Sequence, residues 1–237
     1  TGGSRSMPVG GSALYKATKE FFIKSKNILA SHQSLDINSI IYEKGFFHYQ
    51  GKLFSLSDIA NIANNQNKNL ETSASWTPPS GSFTYPNGVH ICELEIDKYT
   101  GKVEIISYTI VDDFGKVINP LLLEGQVHGG IVQGIGQALY EETIYDKETG
   151  QLLTGSFMDY AIPRASDLPN FNFYYNEILC KTNLMGFKGA REAGAIGAPP
   201  AVINAICNAL DIDNIDMPAK AQKIWGLLKS RNIKAAE

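Results

Sequence analysis

Three cysteines in 237 residues leave little material for covalent cross-links. Cys92, Cys180 and Cys207 are scattered and odd in number, so they read as buried thiols in a reducing, cytoplasmic setting and exclude a disulfide frame. Positive charge is short as well: 21 Lys and Arg face 24 Asp and Glu, a formal charge of -3, whereas a nucleic-acid partner would usually need a basic face. No apolar run approaches the length of a membrane span, and no signal-peptide pattern opens the chain. Metal-ligand spacing is missing, since His90-x-Cys92 has no second ligand pair nearby and His32, His48 and His128 stand alone. A P-loop is excluded because no Gly-Lys-Ser/Thr follows any glycine run, and Gly134-x-Gly136 lacks the third glycine and the preceding strand of a dinucleotide fingerprint. There is no Ser/His/Asp or Cys/His triad signature, no internal repeat and no low-complexity tract.

What remains is ordinary globular composition, 43% hydrophobic and 19% charged, with length for one large domain or two small ones. Residues 1–12 read as a glycine-rich loop feeding a helix over 12–31, where Leu14, Ala17, Phe21, Phe22, Ile28 and Leu29 recur at helical spacing. Short strands are expected in 37–54, and Ser55-x-x-Asp58 resembles a capping box for a helix reaching about Asn64. Residues 65–82 are a polar loop and a candidate internal boundary. From Val89 to Val111 the period becomes two, with His90, Cys92, Leu94 and Ile96 on one face, Glu93 and Glu95 on the other, and a hairpin loop at Asp97–Lys102. Asn119-Pro120 caps and starts a helical run to about 142, and Pro-started helices are expected at about 199–210 and 218–230. Without a strand–helix–strand rhythm, the class is α+β, built of mixed helices and hairpin sheets.

Four stretches carry candidate chemistry. Gly2-Gly3-Ser4-Arg5-Ser6, ahead of a helix, offers backbone N–H groups as an anion nest, with a forked donor in Arg5; taken alone it reads first as an ordinary helix lead-in with a surface Arg. In Glu124–Leu139, glycines inside a helix each cost roughly 1 kcal/mol relative to alanine, so the backbone there must come close to a cofactor or to another helix. Gln126 in this run can donate and accept at once, which suits a heterocycle edge. The doublets Asp112-Asp113 and Glu141-Glu142 read as charged surface, although Asp113 ends a strand before a glycine turn. Last, Lys188-Gly189-Ala190-Arg191-Glu192-Ala193-Gly194-Ala195-Ile196-Gly197-Ala198-Pro199-Pro200 presents Glu192 on a loop ahead of a helix N-terminus, a place for a reactive group or for a solvated cap.

In their order these stretches, with Val111–Gly115 and Thr154–Tyr160, resemble the C-terminal part of the molybdenum-binding large subunit of the xanthine dehydrogenase and aldehyde oxidase family, in its aerobic carbon monoxide dehydrogenase-like branch. The likeness covers nearly the whole of 1–237 and implies the second half of a molybdenum-cofactor-binding domain. It implies hydroxylation of an aldehyde, carbon monoxide or an N-heterocycle with oxygen from water, at a molybdenum–molybdopterin cofactor in its cytosine dinucleotide form. Glu192 matches the family's general base, which removes the proton from the attacking hydroxyl. Gln126 matches a pterin-contacting glutamine, and Gly2, Gly3, Ser4, Arg5 and Ser6 match the loop for the dinucleotide's phosphates. Asp112, Asp113, Asn119 and Lys188 match weaker cofactor contacts. Implied partners are the N-terminal half of the molybdenum subunit, an iron–sulfur subunit, an FAD subunit and a second copy of the assembled complex, with a small-molecule substrate.

Two departures accompany the likeness. Arg191 stands where the family usually carries glycine, and a side chain there either pairs with Glu192 or turns the loop away. The first part of the family's subunit, which lines the substrate pocket, is not in this chain, and Thr1 falls inside a functional-looking glycine stretch; both suggest a fragment or a split subunit, inactive alone. The rival reading is a non-catalytic relic that keeps the fold and the cofactor site. A nucleotide-binding protein unrelated to molybdenum fits the loops but not the ordered set of motifs.

Overall fold

In the computed structural model, which describes residues 2–80 and 83–234, the expected first helix forms, with Ile28 and Leu29 of its apolar series buried and Leu14 exposed. α1 (Ser12–Gln33) buries Ser25, Ile28 and Leu29, and Ser34 ends it in a left-handed conformation (φ 54°). Its lead-in differs from the expected loop: Ser6–Gly11 is already a π-helical turn, in which the Ser12 hydroxyl donates to the Pro8 carbonyl at 2.6 Å. β1 (Ile41–Glu43), β2 (Phe46–Tyr49) and β3 (Lys52–Ser55) form an antiparallel meander with Phe47 opposite Tyr42 and Phe54. α2 (Leu56–Asn65) starts at the expected capping box: the Ser55 hydroxyl accepts from the Asp58 N–H while the Asp58 carboxylate accepts from the Ser55 N–H. Ile28, Leu29, Ile40, Phe47, Ile59 and Ala63 make a core of their own. These elements belong to one of two compact units, segments 6–82 with 183–185; the other comprises 1–5, 83–182 and 186–237.

The second unit is built on the expected hairpin. β4 (Asn87–Ile96) and β5 (Val103–Asp113) pair antiparallel, with a register shift between Glu93 and Leu94. Helix α3 (Pro120–Leu139) follows, capped by Asn119, whose side-chain oxygen accepts from the Leu122 N–H at 3.2 Å. β6 (Phe171–Asn176) then returns parallel to β5, giving the order β4-β5-β6. Tyr108 and Ile110 from β5, Val127, Ile131 and Ile135 from α3, and Val202 and Ile206 from α4 (Ala193–Leu210) fill the core, which Ile224 of α5 (Ala221–Lys234) completes.

Both closing helices start elsewhere than the prolines suggest. α4 begins at Ala193, and Pro199 and Pro200 lie inside it. α5 begins at Ala221, past Pro218. Glu192 therefore sits one residue, not seven, from its helix. Among the described helices α4 alone is long and apolar enough for a bilayer by composition; here its apolar residues pack on α3 and β4.

Candidate functional site at the N-terminus of α4

Glu192 is the residue immediately before α4, with helical backbone angles (φ -88°, ψ -14°) and an exposed side chain that makes no capping bond to its own helix. Its carboxylate turns instead to the start of the chain, where Oε2 accepts a hydrogen bond from the Ser4 hydroxyl. The backbone N–H of Arg191 donates to the same Ser4 oxygen at 3.3 Å. Gly3 and Ser4 are both left-handed (φ 62° and 49°), which folds Gly2–Arg5 into a tight turn closed by Arg5 Nε donating to the Gly2 carbonyl at 3.1 Å. Gly189 makes this approach possible, because a Cβ there would lie 2.4 Å from the Ser4 Cβ. The Arg191 side chain is exposed, and among the described residues no ion pair joins it to Glu192.

The segment leading to Glu192 is clamped to the end of β5. Asp113, expected at the surface, is buried there, as is Asp112. Asp113 Oδ1 accepts from the N–H groups of Gly115 (2.9 Å) and Ile178 (3.0 Å), and Oδ2 takes the Lys188 ammonium. Lys188 Nζ also reaches Asn87 Oδ1 at 3.4 Å, and the Lys188 N–H donates to the Phe114 carbonyl at 3.0 Å. Burial pulls the Asp113 carboxyl upward, but the ammonium and the two backbone donors outweigh it and leave the group below the ordinary carboxylate range. Asp113 and Lys188 thus answer each other's charge and fix the loop from inside the protein.

Asp112 belongs to a second buried group that sequence reasoning missed. Its carboxylate lies 3.5 Å from His90 Nε2, and His90 Nδ1 is 3.0 Å from the Tyr108 hydroxyl. Gly88, opposite Asp112 on β4, leaves room for the carboxylate: a Cβ would stand 1.8 Å from Oδ1. The His90 ring in turn lies against Gly197 in α4, where a Cβ would come within 2.7 Å of it. Burial first, then Cys92 and Asp112, push the Tyr108 hydroxyl above its usual range, so it stays a neutral hydrogen-bonding group. The available signal was the alternation that put His90 among core residues.

α3 meets this region through bare backbone. Gly130 and Gly134 face Gly194, Ala195, Ala198 and Pro199 of α4, while Gly194 lies against the Val127 carbonyl and the Ile131 N–H. Of the two expected reasons for glycine in α3, these positions serve the close approach of another helix. Gly125 and Gly129 differ, since a Cβ at either would meet open space, and exposed Gln126 sits beside them. The α3–α4 crossing brings Gln126 and Glu192 to the same end of the unit. Asn119 uses its side chain as the α3 cap, and Ser6 opens the π-helical turn.

A family described as "Molybdopterin cofactor-binding domain" matches residues 1–169. The chain is similar to the carbon monoxide dehydrogenase large chain of Hydrogenophaga pseudoflava, 31% identical over 98% of this chain and 30% of that one. It is 35% identical to the 6-hydroxypseudooxynicotine dehydrogenase complex subunit gamma of Paenarthrobacter nicotinovorans, over 97% of this chain and 30% of that one. In three dimensions it matches reconstituted CO dehydrogenase from Oligotropha carboxidovorans with a TM-score of 0.87 at 29% identity, over 99% of this chain and 30% of that structure. The chain thus spans about 30% of the length of these relatives.

Proposed function

The chain belongs to the molybdopterin cofactor-binding domain family, and on that premise we propose that it carries the base-bearing part of the large subunit of a molybdenum hydroxylase. The observation that supports this best is the meeting of an exposed, uncapped carboxylate, Glu192, with a left-handed glycine turn, beside a helix that packs Gly130 on the Arg191 carbonyl and leaves Gly125 and Gly129 bare next to Gln126.

These residues suit a pterin dinucleotide. Gly2 and Gly3 present backbone N–H groups in a positive-φ turn, and the Arg5 guanidinium adds a forked donor, a donor set matched to phosphate oxygens. Gln126 offers one donor and one acceptor to a heterocycle edge, and the missing side chains at Gly125 and Gly129 leave the helix backbone approachable. On this reading the loop from Gly2 to Ser6 lines the phosphates with its backbone N–H groups and the Arg5 guanidinium, and Gln126 meets the pterin. Asp112, Asp113, Asn119 and Lys188 act from behind, as the frame that holds those contacts. When bound, the cofactor supplies a two-electron redox centre for the substrate carbon. With that group in place Glu192 would serve as the proton acceptor, the Lys188–Asp113 clamp would fix its loop, and Arg5 and the turn would hold the dinucleotide.

We assign the substrate class as carbon monoxide, an aldehyde or an N-heterocycle, and the dinucleotide as the cytosine form. The partners proposed are the remainder of the molybdenum subunit, iron–sulfur and FAD subunits that carry electrons away, and a second copy of the complex in a cytoplasmic assembly. The deciding experiment is Glu192→Gln in the complex purified from its host. Turnover should fall at least about a hundredfold, while molybdenum and acid-released CMP stay near one per chain. Wild-type turnover in that variant, or a folded wild-type complex without molybdenum and CMP, would leave a relic in place of an enzyme.

A further inference from the structure

We propose that Ser4 is a positioning residue for Glu192, and that its hydroxyl holds the carboxylate and not a cofactor phosphate; this rests on the assignment of Glu192 as base. The Ser4 hydroxyl donates to Glu192 Oε2 and accepts from the Arg191 N–H at 3.3 Å, so two consecutive residues of the α4 loop grip one oxygen. Glu192 makes no bond to the end of its own helix, which leaves its orientation to this contact. With Oε2 engaged, Oε1 keeps its lone pairs for the proton that the reaction releases.

The backbone argues the same way. Ser4 has φ 49°, a left-handed conformation that glycine adopts freely and that a residue with a Cβ disfavours. Its neighbour Gly3 adopts φ 62° with no side chain at all. A serine held at the second of two left-handed positions contributes something that glycine does not, and that is the hydroxyl. Gly189 supplies the complementary vacancy, since any Cβ there would stand 2.4 Å from the Ser4 Cβ. Because Ser4 lies between Gly3 and Arg5, the turn proposed for the phosphates is also the turn that aims the base. Phosphate contacts then fall to the backbone N–H groups and Arg5, and alignment of Glu192 to the Ser4 hydroxyl.

The test uses the assembled enzyme from its host. Ser4→Gly deletes the hydroxyl in a residue that accepts the left-handed angles, and Ser4→Ala checks that the backbone is not the cause. Molybdenum and CMP per chain should match wild type, with kcat down about tenfold or more and KM within about twofold. In the Glu192→Gln background Ser4→Gly should cost nothing further in the residual rate, because the two residues act as one unit. Loss of CMP in Ser4→Gly would put the hydroxyl on a phosphate, and unchanged kcat or a multiplicative loss with Glu192→Gln would separate Ser4 from the base; each overturns the proposal while the base stands. Full turnover in Glu192→Gln alone removes the base assignment and this proposal with it.

Discussion

Asp113 and Lys188 form a buried ion pair whose side chains are 5% and 11% exposed, and the two backbone donors on Asp113 Oδ1 satisfy the lone pairs that Lys188 leaves. Removing one partner of such a pair strands the other, so Asp113→Asn should lower stability at pH 7 by about 3 kcal/mol. The pH dependence follows from the direction of the shift. A carboxyl held below its ordinary range contributes stability that is fully present above the unfolded value near 4 and fades as pH falls through the lower folded value. In urea titrations the gap between wild type and Asp113→Asn should therefore be widest at neutral pH and narrow below about pH 4. A gap that stays constant with pH would detach the clamp from the charge of Asp113. Tyr108 and His90 contrast with this pair: 18 positions apart, they meet only through the β4–β5 register, and no local motif announces them.

Glycine has two opposite uses along α3, and they can be separated by substitution. At Gly129 a Cβ meets nothing, so Gly129→Ala should gain about 0.5–1 kcal/mol from helix propensity. At Gly134 a Cβ would come within 2.7 Å of the Ala198 Cβ and 2.8 Å of Pro199, and overpacking of roughly 1–3 kcal/mol exceeds the same gain. Thermal melts should thus move up for Gly129→Ala and down for Gly134→Ala. Gly129→Ala should nevertheless lower molybdenum content if the bare strip beside Gln126 receives the pterin; unchanged content would place the cofactor elsewhere. The same physics explains what could be read in advance. The capping box at Ser55-x-x-Asp58, the Asn119-Pro120 start and the alternating hairpin are local signals, and each element formed where its signal stood. The start of α4 was hidden because Gly194 and Gly197 look like loop residues, whereas they lie within the helix and accommodate α3 and the His90 ring. Pro199 and Pro200 follow the start by six and seven residues, where propensity alone would not have put them.

At the scale of the molecule, one unit supplies both the Asp113–Lys188 clamp behind the Glu192 loop and the Ser4 turn that meets it. Glu192 is exposed, and the same unit carries further exposed apolar side chains, among them Met158 at 93%, Phe157 at 83%, Leu121 at 77% and Ile196 at 72%. A proton acceptor and a charged redox group work best where water is excluded, because fixed dipoles act far more strongly in a dry site than in solvent. The motifs around Gly2–Ser6 and Lys188–Pro200 were legible because glycine and proline punctuate them, whereas the Asp112–His90–Tyr108 contacts depend on strand register and were not. The relatives are more than three times as long as this stretch, since it covers 30% of each. The expected consequence is that the chain expressed alone and supplied with cofactor oxidises neither carbon monoxide, nor aldehydes, nor N-heterocycles in a dye-reduction assay. Co-expression with the remainder of a large subunit and its electron-transfer partners should restore turnover that Glu192→Gln abolishes. Oxidation by the chain alone would mean that the base needs no walls beyond those this stretch supplies.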